Sequence, residues 1–144
     1  MVIGIVGAEA AKFTPFTEMQ AKAIIRALLS GPYVTGYSSG HCHLGGVDIW
    51  TEEIGNELGL KPFIYPPKTL SWADGYKPRN LQIVAASNEV HCITVEKLPV
   101  GYKGMEFDSC YHCKGRNREH CKSGGCWTAW KAAAVGKPAY WHII

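Results

Sequence analysis

Val2-Ile3-Gly4-Ile5-Val6-Gly7 is an unbroken apolar, β-branched run that stops on a glycine, and the fold class turns on it. Apolar residues at every position, rather than at alternate ones, suit a strand covered on both faces, as in a parallel sheet. Downstream, Thr14 stands where a helix N-cap belongs and Pro15 takes the first helical position. Phe16, Met19, Ala23, Ile24, Ala27 and Leu28 then recur at helical spacing until Ser30-Gly31-Pro32 ends the run. Tyr33-Val34-Thr35-Gly36 reads as a second strand, and the glycine- and serine-rich stretch from Tyr37 to Gly46 reads as a loop into a helix carrying Val47, Trp50, Ile54 and Leu58.

The same alternation continues. Phe63-Ile64-Tyr65 predicts a third strand, and Pro78 opens a short helix with Leu81, Ile83 and Val84. Val90–Val95 predicts a fourth strand. A helix from about Gly125 to Val135 and a last strand over Ala139–Ile144 close the chain. Strands alternating with helices in this way predict an α/β, Rossmann-like, doubly wound parallel sheet of about five strands. At 144 residues the chain is one domain, 1–144. Composition is that of an ordinary globular protein, with 47% apolar and 19% charged residues, and no run approaches the length of a membrane span. Met1 leads straight into the first strand without a basic leader or cleavage site, which predicts a cytoplasmic protein.

Residues 97–122 break the economy of the pattern, because α/β connections usually take only a few residues. This insertion before the last helix holds six basic residues, Lys97, Lys103, Lys114, Arg116, Arg118 and Lys122, against Glu106, Asp108 and Glu119. It therefore carries the whole formal charge of +3, and the rest of the chain is neutral. Cys110, Cys113, Cys121 and Cys126 cluster in the same region. In a reducing compartment such a cluster is better suited to a metal than to disulfides. We expect a structural Zn2+ held by Cys110, Cys113, Cys121 and Cys126, with His112 and His120 as alternates and His120 competing with Cys126 for the fourth place. A redox switch at Cys126 and an unliganded loop are the competing readings.

In a doubly wound sheet, ligands bind beyond the carboxyl ends of the strands, where helix N-termini point outward. Four segments fall there: Gly7-Ala8-Glu9; Ser38-Ser39-Gly40 through Gly45-Gly46-Val47-Asp48; Lys77-Pro78-Arg79-Asn80; and Ser123-Gly124-Gly125-Cys126-Trp127-Thr128. Bare glycines let backbone amides approach an anion, and an arginine such as Arg79 can clamp it. Neither a P-loop nor a G-x-G-x-x-G fingerprint is present. His41-Cys42-His43 reads as pocket lining, Cys92 as core, and Trp72 either as a base-stacking residue or as a packing lid.

Gly45-Gly46-Val47-Asp48, Lys77-Pro78-Arg79-Asn80, and Gly124-Gly125 followed by Thr128 resemble the successive signatures of the SLOG superfamily. That group of Rossmann-like domains includes the LOG-type phosphoribohydrolases and the DNA-processing protein A proteins. The resemblance spans nearly the whole chain outside the insertion. It implies strand order 3-2-1-4-5, a pocket for a nucleotide or nucleotide-derived small molecule, and a homodimer. The pocket would be built from Gly7, Ala8, Glu9, Ser38, Ser39, Gly40, Gly45, Gly46, Asp48, Arg79, Asn80, Ser123, Gly124, Gly125 and Thr128. LOG enzymes carry a glutamate where this chain has Lys131, which argues against N-glycoside cleavage by their mechanism. Glu9, Asp48 and Arg79 remain as catalytic candidates for a nucleoside 5′-monophosphate N-glycoside hydrolase. A third reading takes the basic insertion, with Tyr102, Phe107 and Tyr111 interleaved, as a zinc-dependent nucleic-acid surface.

Overall fold

The computed structural model describes residues 1–144. Five strands form one all-parallel sheet: β1 (Val2–Gly7), β2 (Gly36–Ser39), β3 (Lys61–Ile64), β4 (Glu89–Thr94) and β5 (Ala139–Ile143). Their spatial order is β3-β2-β1-β4-β5. Four helices connect them: α1 (Pro15–Leu29), α2 (Val47–Glu57), α3 (Lys77–Ala86) and α4 (Gly125–Ala134). No helix is long and apolar enough to cross a membrane.

Right-handed crossovers dictate the layering. The chain steps one way from β1 to β3, which puts α1 and α2 on one face. It then crosses to β4 and steps the other way, which puts α3 and α4 on the opposite face. Two cores result. Ile3 and Ile5 of β1 pack with Ala21, Ile25 and Leu29 of α1 and with Val47, Trp50 and Ile54 of α2. Val6 points the other way and packs with Ile83, Val84, Val90, Cys92, Ala129 and Ala132. The step direction reverses between β1 and β4, and the N-termini of α2, α3 and α4 gather around that point.

Helix α1 begins where its sequence signals it. The Thr14 hydroxyl accepts from the Thr17 amide at 3.1 Å, and Thr17 Oγ1 accepts from the Thr14 amide at 2.8 Å. Its buried face, however, is Ala21, Ile25 and Leu29, while Phe16 and Met19 are 63% and 60% exposed. Of the expected stripe, Ile24 and Leu28 are half-buried against this core, while Phe16, Met19, Ala23 and Ala27 face solvent. Both rows are apolar, so spacing alone does not choose between them.

The second strand also sits later than expected, at Gly36–Ser39 rather than Tyr33–Gly36. Tyr37 is the reason: its side chain is fully buried and its hydroxyl donates to Asn56 Oδ1 of α2 at 2.8 Å. In α3, Leu81 faces solvent and the buried positions are Arg79, Asn80, Ile83 and Val84. Helix α4 comes down directly on β1. A Cβ on Gly125 would lie 2.7 Å from the Gly7 amide nitrogen, so only glycine permits the approach.

Candidate functional site

A cavity of about 570 Å³ opens at the β1–β4 switch point. Its walls come from the end of β1 (Val6, Gly7, Ala8, Glu9), the loop into α2 (Cys42, His43, Leu44, Asp48), the segment around α3 (Trp72, Tyr76, Arg79, Asn80, Ile83) and the entry to α4 (Ser123, Gly124, Gly125, Thr128). Lys12, Tyr111, His112 and Lys122 complete it.

Arg79 is the buried cation of this cavity. Its Nε donates to Asn80 Oδ1 at 2.7 Å, and Nη1 donates to the Gly40 carbonyl. Nη1 also lies 3.9 Å from Asp48 Oδ2. Asp48 in turn accepts the Cys42 amide at 3.2 Å. Burial pushes the Asp48 carboxyl up to about 6, and the Arg79 charge only partly opposes this. Lys12 has its ammonium pulled below the usual lysine range by burial and by Lys122 nearby, and it donates to the Lys122 carbonyl at 2.6 Å.

The insertion folds over the cavity as a flap. Tyr102 donates its hydroxyl to Glu9 Oε1 at 2.7 Å, and burial together with this carboxylate pushes the phenol up to about 12. Trp72 both lines the cavity and packs edge-on against Trp127, with ring centroids 4.9 Å apart. Much of the flap's basic charge is engaged within the protein. Arg116 lies 3.6 Å over the Trp130 ring and donates to the Cys113 carbonyl, and Arg118 pairs with Glu96 and the Ile143 carbonyl.

Beneath the flap, Cys110, Cys113, His120 and Cys126 are all buried, with their ligand atoms within 4.8 Å of one another. This corrects the four-cysteine set: Cys121 turns its sulfur to the Glu96 carbonyl, and His120 takes the place expected for it. The reason is local. The Cys121 amide and carbonyl are taken up by Val95 and Thr94 of the β4 end, so its side chain points away from the cluster. His112 is also outside the cluster and lines the cavity.

The donor set fits a thiophilic divalent cation. His120 Nδ1 donates to the Cys121 carbonyl at 2.7 Å, which leaves the Nε2 lone pair facing Cys113 Sγ at 3.2 Å and Cys126 Sγ at 4.0 Å. Cys126 and the neighbouring backbone amides hold the Cys110 thiol well below the usual thiol range. The Cys126 thiol is driven up, first by Cys110 and then by Cys92, whose sulfur is 3.8 Å away. Three sulfurs and one imidazole in a closed, buried set could hold a metal ion.

Of the residues expected at the ligand site, Gly7, Ala8, Glu9, Asp48, Arg79, Asn80, Ser123, Gly124, Gly125 and Thr128 line the cavity. Ser38, Ser39, Gly40, Gly45 and Gly46 do not. Ser38 and Ser39 are strand residues, and Ser39 Oγ donates to the Ile5 carbonyl at 3.2 Å. Gly40 packs under the Arg79 guanidinium. Gly46, at φ 87°, lets α2 start against the backbone of residues 8–10. Lys131 lies over the Trp127 ring and does not reach the cavity. Lys12, Tyr76 and Lys122 are members that sequence reasoning missed. Lys12 carried a signal, as the one cation between β1 and α1. No family model, curated protein or solved structure matches this chain.

Proposed function

We propose that the cavity binds a nucleotide or nucleotide-derived small molecule, and that a zinc ion in the Cys110/Cys113/His120/Cys126 cluster staples the flap over it. The observation that carries the reading is the charge and chemistry of one enclosure. Lys12, Arg79 and Lys122 share it with the N-terminus of α4 and with the aromatic rings of Trp72, Tyr76 and Tyr111. Cations and bare amides suit a phosphate, and rings suit a base. The SLOG-like order of glycine turns points the same way.

Calorimetric titration with nucleoside mono-, di- and triphosphates tests the proposal. We expect at least one to bind at high salt, and Arg79→Lys, which keeps the charge but loses the fork, to weaken it. Failure of every nucleotide to bind overturns the reading.

One feature favours a second reading. A carboxyl raised to about 6 inside an anion-binding cavity can give or take a proton near neutrality, so Asp48 is suited to acid/base work on an N-glycosidic bond. Release of free base from a nucleoside monophosphate panel, lost in Asp48→Asn, is the expected result. No release from metal-loaded protein removes this second reading and leaves the first standing.

A further inference from the structure

The metal ligands bracket the cavity wall in sequence. Tyr111 and His112 lie between Cys110 and Cys113, and Lys122, Ser123, Gly124 and Gly125 lie between His120 and Cys126; all six line the cavity. Ser123 is the closest link. Its residue is 1% exposed, and its carbonyl accepts the Cys126 amide at 3.1 Å. Its hydroxyl has no protein partner. A buried hydroxyl without a partner costs free energy unless something in the cavity satisfies it.

We infer that metal centre and cavity form one thermodynamic unit, in which a thiophilic divalent cation raises the cavity's affinity for a phosphate-bearing ligand by fixing the wall segments that its ligands bracket, Ser123 among them. The inference rests on the nucleotide reading above and adds its regulation. Residues 95–124 contain no helix or strand, so outside the cluster this segment is held by a few contacts such as Tyr102–Glu9 and Lys12–Lys122. A cation tying three points of it, Cys110, Cys113 and His120, to Cys126 in the first turn of α4 removes much of the conformational freedom that ligand binding would otherwise have to remove. Linkage makes the effect reciprocal: the ligand must tighten the metal by the factor by which the metal tightens the ligand.

The test uses the full chain under reducing conditions, loaded with Zn2+ or Co2+ or stripped by a chelator, with adenosine 5′-monophosphate and inorganic phosphate as probes. We expect binding to weaken about tenfold or more on stripping. The probe should raise Zn2+ affinity by the same factor in competition with a chromophoric chelator. It should also shift the thiolate-to-Co2+ absorption band, because the Ser123 carbonyl holds the amide of Cys126, one of the thiolate ligands. Ser123→Ala keeps all four ligands and the backbone link to Cys126, so it should retain the metal and the coupling while weakening the probe in both forms. His120→Ala, which loses a ligand but leaves the cavity wall in place, should lose the coupling. Equal probe affinity in loaded and stripped protein, or metal-dependent tightening of the probe that persists in His120→Ala, overturns the inference alone. Binding to neither form overturns the nucleotide reading and the inference with it.

Discussion

The imidazole Nε2 of His120 stands 3.2 Å from the Cys113 sulfur, which makes a histidine the fourth donor of a cluster that cysteine spacing assigns to thiols alone. The two readings separate cleanly by mutation. We expect purified protein to carry one zinc per chain by elemental analysis. His120→Ala and Cys113→Ser should lose it, while Cys121→Ser should keep it. Loss of metal in Cys121→Ser with retention in His120→Ala would restore the four-cysteine set.

The pH dependence of anion binding should follow Asp48. Its carboxyl titrates at about 6, and once ionised it places a negative charge 3.9 Å from the Arg79 guanidinium. Binding of sulfate, whose charge is constant over this range, should therefore strengthen as pH falls through about 6, and Asp48→Asn should abolish that slope. Stability carries the same sign. Between the ordinary value of 3.8 and about 6 the folded state holds a proton that the unfolded chain has released, so this contribution falls as pH rises. A flat sulfate-binding profile in the unmodified protein would exclude Asp48 as the controlling group.

Tyr102→Phe removes the hydrogen bond that latches the flap to Glu9 and nothing else from the fold. Its cost should be about 1 kcal/mol in chemical denaturation. Amide exchange should accelerate in residues 97–109 and stay unchanged in the sheet. Uniform acceleration through β1 and β4 would mean that the flap is part of the main cooperative unit.

Two adjacent glycines should behave oppositely. Gly125→Ala drives a Cβ to 2.7 Å from the Gly7 amide nitrogen, and we expect a loss of about 1–3 kcal/mol as α4 is pushed off β1. Gly124→Ala meets nothing within 4 Å and should change stability by no more than about 0.5 kcal/mol. Equal effects at the two positions would show that α4 does not pack on β1 as described.

Legibility varied along the chain for physical reasons. β1 and α4 were readable because an all-apolar β-branched run and a glycine-bounded helix have few alternatives. β2 was displaced because Gly36-Tyr37-Ser38-Ser39 has turn composition, and only the pocket that α2 provides for the Tyr37 ring makes it a strand. The α1 face was only half legible, Ile24 and Leu28 packing as expected and Phe16 and Met19 not, because Phe16/Met19 and Ala21/Ile25 are both apolar rows and rotation about the helix axis depends on what lies beneath. At the cavity, glycine turns announced themselves by type. Lys12 stood out only as the one cation between β1 and α1, and Lys122 not at all, since a loop lysine is usually solvated and becomes a wall residue only when the flap folds against the sheet edge.

The chain's local chemistry was sufficient to specify a doubly wound α/β sheet, the position of its insertion and the confinement of the +3 charge to it. Those properties follow from periodicity, turn residues and arithmetic, which act over a few residues at a time. Tertiary structure alone selected His120 over Cys121, engaged the Arg116 and Arg118 guanidinium groups with the Cys113 and Ile143 carbonyls, and placed Ser123 between cluster and cavity. Each depends on how a segment without regular structure meets the end of β4 and the start of α4. Side-chain direction there is decided by which backbone groups those elements leave to be satisfied, and sequence spacing does not encode that.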